Sequence, residues 1–298
     1  MRAIGKLVVI GVGLIGGSFA LALRRGGATA HVLGIGRGRP NLDTARRLGL
    51  VDRALTLDEH WTPELRDADL VFVATPVGEM PGLFATLGQH LGPNTIVTDA
   101  GSTKQDVIEA AREHLGCALP RFVAGHPIAG TEHSGAAAAF EALFRERQVV
   151  LSPLPETDAA ALEFVTVCWE RCGASVRCLD AARHDAILSA VSHLPHVLAF
   201  ALMSELASRA DAAEYFDLAG TGLRDVTRLA ASHAGMWRDV CLANRHALRR
   251  DIARYRQELD RIDALLERRD GEALESLFAR ARSARDAWIA RASGTDEA

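Results

Sequence analysis

Cysteine is sparse in this 298-residue chain and is not spaced for redox or metal chemistry. The five, Cys117, Cys168, Cys172, Cys178 and Cys241, are an odd number with no CxxC pair. Cys168 and Cys172 share a helix face at a spacing of four, which suits packing rather than a disulfide or a zinc site. A reduced, cytoplasmic protein without a metal is expected. Basic charge is not in excess either: 34 Lys and Arg against 38 Asp and Glu give a net charge of −4 and a pI near 6.3. Those basic residues are scattered, which excludes a nucleic-acid footprint and a polybasic membrane patch. Beyond the N-terminus no run approaches the roughly 18 apolar residues of a membrane span. Low-complexity linkers and internal repeats are also lacking.

What is present is apolar residue in quantity. At 48% hydrophobic, 298 residues suffice for two domains with real cores. The opening stretch "MRAIGKLVVIGVGLIGGSFALALRR" has the charge and apolar run of a signal peptide, but it carries five glycines at structured spacings. A signal helix has no use for those, so a nucleotide-binding turn is the better reading.

Short β-rich runs then alternate with helical patterns. Strands are expected at Leu7–Ile10, His31–Ile35, Leu70–Ala74, Thr95–Thr98, Phe122–Ala124, Val149–Leu151 and Ser175–Cys178. Helices are expected at Leu14–Arg25, Asn41–Leu48, Met80–Leu91, Thr103–His114 and Asp158–Arg171. Such alternation means βαβ units and a largely parallel sheet. From Asp180 onward only helical periodicity remains, over Ala182–Arg209, Ala212–Ala231, Met236–Leu266 and Gly271–Ala292. The fold class is therefore α/β, with a Rossmann-like dinucleotide-binding domain over 1–179 and an all-helical domain over 180–298. The first long helix is apolar on more than one face, which asks for a second chain to cover it.

"VVIGVGLIGGSF" places Gly11, Gly13 and Gly16 as G-x-G-x-x-G directly after an apolar strand and opening a helix at Leu14 and Ile15. In that context Gly11 allows the tight turn, Gly13 the approach of a pyrophosphate, and Gly16 close helix–strand packing. The second strand reads "HVLGIGRGR", with Gly36 where NAD-binding turns carry an acid, then Arg37 and Arg39. A missing carboxylate removes repulsion against a 2′-phosphate and a guanidinium can pair with one, so NADP is expected. The alternative is that Arg37 merely lies on the surface and NAD binds through other groups. Thr75, Pro76 and Val77, and the turn Asp99–Lys104, follow two more strands at the edge where ligands of open α/β sheets bind. Ser102 would lie near the nicotinamide, or Ser102 and Thr103 would cap the next helix, or both.

Two later stretches carry candidate polar groups. "AVSHLPHVLAFAL" puts His193 and His196 three apart, with Pro195 between them to distort the turn. A core role and a functional one are both open for these histidines, and no carboxylate or cysteine completes a metal site with them. "GTGLRDVTRLA" brings Arg224, Asp225 and Arg228 into a helix entered through glycines, with Trp237 beyond. Earlier, "FVAGHPIAGTEHSG" leaves His126 at the end of an apolar strand, kept out of a following helix by Pro127.

The ordered set "GVGLIGGSFALAL", "DLVFVATPV", "DAGSTK", "GHPIAGTEHSG", "SHLPHVLAFAL" and "GLRDVTRLAASHAGMWRDV" resembles the prephenate/arogenate (cyclohexadienyl) dehydrogenase family of tyrosine biosynthesis. The resemblance covers nearly the whole chain, and "HPIAGTEHSG" with "SHLPH" is far more specific than a dinucleotide fingerprint. It implies a helical dimerisation domain, and so a homodimer. It also implies oxidative decarboxylation of prephenate or arogenate, with hydride transfer to NAD(P)+. By the same resemblance His126 takes the proton of the ring hydroxyl and Ser102 hydrogen-bonds beside it. His196 and Arg228 line the substrate pocket, Arg228 against the ring carboxylate, with Thr131, Glu132, Gly222 and Arg224 nearby. Neither a fused chorismate mutase nor a further regulatory domain is expected. Two rivals stay open: another two-domain NADP oxidoreductase of the β-hydroxyacid dehydrogenase type, and a non-catalytic NADP-binding sensor. The first typically needs a lysine base in its helical domain, and no lysine follows Lys104.

Overall fold

A computed structural model describes residues 4–131 and 133–292. Among the described residues eight strands form one sheet: β1 (Ile4–Ile10), β2 (Thr29–Gly36), β3 (Arg53–Thr56), β4 (Leu70–Val73), β5 (Ile96–Asp99), β6 (Phe122–Pro127), β7 (Gln148–Ser152) and β8 (Ser175–Cys178). Their spatial order is 3-2-1-4-5-6-7-8, and every neighbouring pair is parallel except β6 with β7. The central strands are continuous Val, Ile and Leu runs because helices cover both faces. Leu7 and Val9 of β1 enter one apolar layer, around Phe19, Phe72, Phe144 and Trp169; Val8 and Ile10 enter the other, around Trp61, Phe84 and Phe122.

Five helices accompany the strands: α1 (Leu14–Arg25), α2 (Arg39–Arg47), α3 (Met80–His90), α4 (Gln105–His114) and α5 (Ala159–Arg171). Several bounds shift by two or three residues, and two strands depart in ways that matter for the site. Strand β3, "RALT", has too little apolar pattern to be read from sequence, and β2 supplies its pairing from Leu33↔Arg53 to Gly36↔Thr56. Strand β6 runs on past Ala124 to Pro127, because the antiparallel pairs His126↔Val150 and Pro127↔Val149 extend it.

The helices that follow are α6 (Ala181–Leu188), α7 (Leu194–Ala207), α8 (Ala212–Asp217), α9 (Thr221–Thr227), α10 (Ala234–Ala243), α11 (Arg245–Glu267) and α12 (Gly271–Ala292). A π-helical turn, Ser189–His193, joins α6 to α7. Pro195 has no N–H to give to the preceding turn, and the widened turn just before it is the distortion its presence led us to expect. The segment expected as one helix over 212–231 is instead α8, α9 and a 3₁₀ turn at Arg228–Ala231, broken around Gly220. Likewise 236–266 is divided at Asn244, whose side chain is drawn inward to Asp185 and His193.

By contacts the chain forms two compact units, residues 1–247 and 248–298. At 179/180 the secondary structure changes from alternating strands and helices to helices alone. Contrary to the expectation from apolar runs, one stretch among the described residues, Ala181–Ala207, is long and apolar enough to cross a membrane by length and composition. Its mean hydropathy is 1.7 over the most apolar window, of which 22% is buried.

Candidate active site

Strand register brings the site together along one edge. Ile10 pairs with Val73 and Val73 with Asp99, so the turns after β1, β4 and β5 leave the sheet side by side. Gly11 has φ +97°, and a Cβ there would lie 2.4 Å from the Ala74 carbonyl oxygen. A Cβ on Gly16 would lie 2.2 Å from the Gly11 carbonyl, whereas no atom of the described residues lies within 4 Å of one on Gly13. Gly13 thus faces open space at the N-terminus of α1, which has no side-chain cap and no acid in its first turn. Free N–H groups and a clear approach are what a pyrophosphate needs. The adjoining cleft, about 360 Å³, is lined by Gly11, Gly13, Gly36, Arg37, Asn41 and Thr75, among others. Thr75 Oγ1 is buried there without a hydrogen-bond partner among the described residues. Shape and donors fit a nicotinamide dinucleotide.

Of the other expected cofactor residues, Pro76 also lines this cleft. Leu14 and Val77 are buried and Ile15 is half-buried; none of the three lines the cleft, and neither does Gly16, which acts through packing. Sequence reasoning missed Asn41. Its Nδ2 donates to the Val12 carbonyl at 2.7 Å and its Oδ1 accepts from Ala136 N at 2.8 Å, tying the phosphate turn to the loop after β6. Arg37 lines the cleft but is paired with Glu79 at 3.1 Å, and Arg39 pairs with Glu59.

His126 sits near the end of β6, buried, beside the turn of the DAGSTK stretch. Asp99 holds that junction: Oδ1 accepts from Gly125 N at 2.9 Å and Oδ2 from Gly101 N at 2.7 Å. Lys104, fully buried, pairs with Asp99 and donates from Nζ to the Gly125 carbonyl at 2.7 Å. Both polar groups of Gly125, the residue before His126, are therefore clamped.

Behind His126 lies a chain of hydrogen bonds that no sequence motif announced. His126 Nδ1 is 2.8 Å from His184 Nε2, and His184 Nδ1 is 2.8 Å from Asp185 Oδ1. Asp185 also accepts from Lys104 N at 2.8 Å and from Gln105 N at 3.0 Å. It thereby caps α4 from a distant part of the chain; the side chains of Ser102 and Thr103 do not. Burial would raise the Asp185 pKa, but the bonds from His184, Gln105 and Lys104 outweigh it and hold it below the usual carboxylate range. Burial first, then the nearby charges of His184, Lys104 and His193, keep the His126 pKa well below 6.5.

The second histidine pair is divided in role. His193 is fully buried; Asn244 Nδ2 lies 3.1 Å from its Nδ1, and its Nε2 has no hydrogen-bond partner among the described residues. Burial pushes its pKa down to about 4. His196 donates from Nδ1 to the Ser192 carbonyl at 2.9 Å and stacks on Trp237 at 3.5 Å between ring centroids. Burial, and then the charge of Arg228, lower its pKa. Trp237 Nε1 is buried without a partner, and no ion pair engages Arg228 among the described residues. His196, Trp237 and Arg228 thus form a polar corner with unused donors.

Gly222 and Arg224 lie in α9, exposed. Thr131 is exposed and lines a separate cavity of about 260 Å³ with Phe140, Arg145 and Arg147. Glu132 lies outside the described residues. Ser102 is half-buried in the turn between β5 and α4, beside His193.

A cleft shaped for a dinucleotide, a buried histidine on the same edge of the sheet and an arginine with no ion pair among the described residues are the parts of a nicotinamide-dependent dehydrogenase. The chain belongs to the prephenate dehydrogenase family. The profile "Prephenate dehydrogenase, nucleotide-binding domain" matches residues 19–178, and "Prephenate dehydrogenase, dimerization domain" matches 180–280. The cyclohexadienyl dehydrogenase of Zymomonas mobilis is 32% identical over 96% of both chains. The crystal structure of Aquifex aeolicus prephenate dehydrogenase, in complex with hydroxyphenyl propionate and NAD+, superposes with a TM-score of 0.89 at 32% identity, covering 95% of this chain and 98% of that one. Synechocystis arogenate dehydrogenase gives a TM-score of 0.78 at 30% identity over 95% and 99%. The activity is oxidative decarboxylation in tyrosine biosynthesis, and neither the β-hydroxyacid dehydrogenase nor the sensor reading is favoured.

Proposed function

We propose that the chain oxidises and decarboxylates prephenate or arogenate with His126 Nε2 as the general base and NADP+ as the preferred acceptor. The observation that carries this reading is the position of His126: a buried imidazole at the end of β6, on the edge that bears the Gly11 turn, Thr75 and Ser102. With Nδ1 engaged by His184, Nε2 is the nitrogen left for substrate.

Gly11, Gly13, Thr75 and Asn41 would hold the dinucleotide, which supplies the hydride acceptor. His126 Nε2 takes the proton of the ring hydroxyl as hydride leaves the carbon that bears it. Ser102 orients the hydroxyl, and Arg228 holds the ring carboxylate until CO2 departs and the ring becomes aromatic. A low histidine pKa keeps the base neutral at physiological pH, ready to accept.

Gly36 and the adjoining Arg37 support NADP. The competing pair Arg37–Glu79 is exposed, and such pairs contribute only about 0–1 kcal/mol, so a 2′-phosphate can displace Glu79. Assembly as a homodimer is part of the same reading, supported by exposed Val191, Leu218, Val226 and Leu242 beyond residue 180. The test offers prephenate and arogenate with NADP+ and with NAD+ and follows reduced-nicotinamide absorbance. Turnover with NADP+ at the lower KM is expected; no turnover in any of the four combinations overturns the proposal.

A further inference from the structure

We infer that His184 and Asp185 act as a relay behind His126, fixing which nitrogen is the base and taking the substrate proton away from the reacting centre. The inference rests on the reading of His126 as base and deepens it.

The N–H groups of Lys104 and Gln105 can only donate, and both donate to Asp185, with Gln105 Nε2 a further contact at 3.2 Å. Asp185 is therefore an acceptor throughout, and His184 Nδ1, 2.8 Å from it, must carry a hydrogen. A neutral His184 then has its lone pair on Nε2. Across the 2.8 Å contact the hydrogen belongs to His126 Nδ1, and the lone pair of His126 falls on Nε2. Each tautomer sets the next, and the sequence ends with a basic nitrogen facing the site.

The same chain moves charge. When the substrate O–H bond breaks and a His126 Nε2–H bond forms, the two rings share one additional proton. Transfer of the Nδ1 hydrogen to His184 Nε2 breaks one N–H bond and makes another, with no change in electron count. The groups facing the two rings decide where the cation rests. His126 looks onto Lys104 and His193, while His184 abuts Asp185; Asp99 is already paired with Lys104. The cation is thus better placed on His184, and as the ring becomes aromatic a proton passes back from His184 Nε2 to His126 Nδ1 while His126 Nε2 gives its hydrogen to the product's phenolate oxygen. His184 is fully buried and so holds this geometry without competition from water.

The experiment compares His184→Gln, His184→Leu and His126→Asn for kcat, KM and the acid limb of the kcat–pH profile. His184→Leu removes both the acceptor and the relay. It should lower kcat on the order of 10- to 100-fold with KM little changed, and move the acid limb to lower pH, because His126 must then carry the proton alone. A glutamine amide can accept from His126 and donate to Asp185, but it cannot take up a proton. His184→Gln should therefore recover part of kcat while the limb stays displaced. Should the leucine variant not fold, the glutamine variant alone decides through its limb. An acid limb at its wild-type position in His184→Gln overturns the relay. If His126→Asn keeps the limb, the base itself has been misassigned, which is a different failure.

Discussion

Lowering the pH from 7.5 to 5 should destabilise the protein, and His193 sets the scale. Its imidazole is fully buried and pushed down to a pKa of about 4, against 6.5 for an unhindered histidine. In the unfolded chain His193 takes a proton as the pH falls through 6.5; in the folded chain it stays neutral until about 4. Between those values the unfolded state binds more protons, so stability rises with pH at about 1.4 kcal/mol per pH unit for this one group. The contribution is complete above 6.5 and is lost progressively as the pH falls toward 4. Roughly 2 kcal/mol should be gone at pH 5, and about 3 kcal/mol at full protonation. His126, lowered for the same first reason, adds to the loss in the same direction. The assay is urea unfolding at fixed protein concentration at pH 7.5, 6.5, 5.5 and 5.0, for the wild type and His193→Asn. The asparagine amide can still meet Asn244 and has nothing to titrate. Its curve should be flatter by about 2 kcal/mol across that range. An unchanged pH slope in His193→Asn would show that the imidazole is not held neutral, and would refute the burial argument.

Three other outcomes follow from the same geometry. Arg228→Ala should raise KM for the substrate about 10- to 100-fold, the 1.5–3 kcal/mol of a charge-assisted hydrogen bond, since the guanidinium is exposed in the single chain; Arg228→Lys should recover only part, and steady-state kinetics check both. Glu79→Gln should lower KM for NADP+ by freeing Arg37 of its partner, and Gly36→Asp should shift preference toward NAD+, although its Cβ must move Leu42 Cδ2, 3.3 Å away. Light scattering at micromolar concentration should give the mass of a dimer, and Leu218→Glu, at a leucine that is 82% exposed in the single chain, should weaken it.

Much of the cofactor half was legible because its physics is local. A strand, a tight turn and a helix start follow one another in sequence, so the places of Gly11, Gly13 and Gly16 can be read from position, and the helix Leu14–Arg25 falls where its pattern places it. Strand β3 was missed because "RALT" draws its stability from pairing to β2 rather than from an apolar pattern of its own. The chain of hydrogen bonds behind His126 was missed for a related reason. His184 and Asp185 read as ordinary polar positions opening a long apolar helix, and their partners lie 58 and 81 residues away. Lys104 was quoted within a motif, yet its burial against Asp99 and the Gly125 carbonyl depends on β5 and β6 lying side by side. His126 stood out because a proline follows it, but its lowered pKa comes from neighbours that only the fold assembles.

The central claim is that His126 is the base, and kcat of His126→Asn as a function of pH tests it most directly. Asparagine keeps a polar side chain at the end of β6 but has no basic nitrogen. NADP+ affinity and the fold should persist, kcat should fall on the order of 10²–10⁴, and the acid limb of the wild type, lying below pH 6.5, should vanish. A variant that turns over within a few-fold of the wild type, or that keeps the acid limb, would contradict it and move the proton to another group, His196 first.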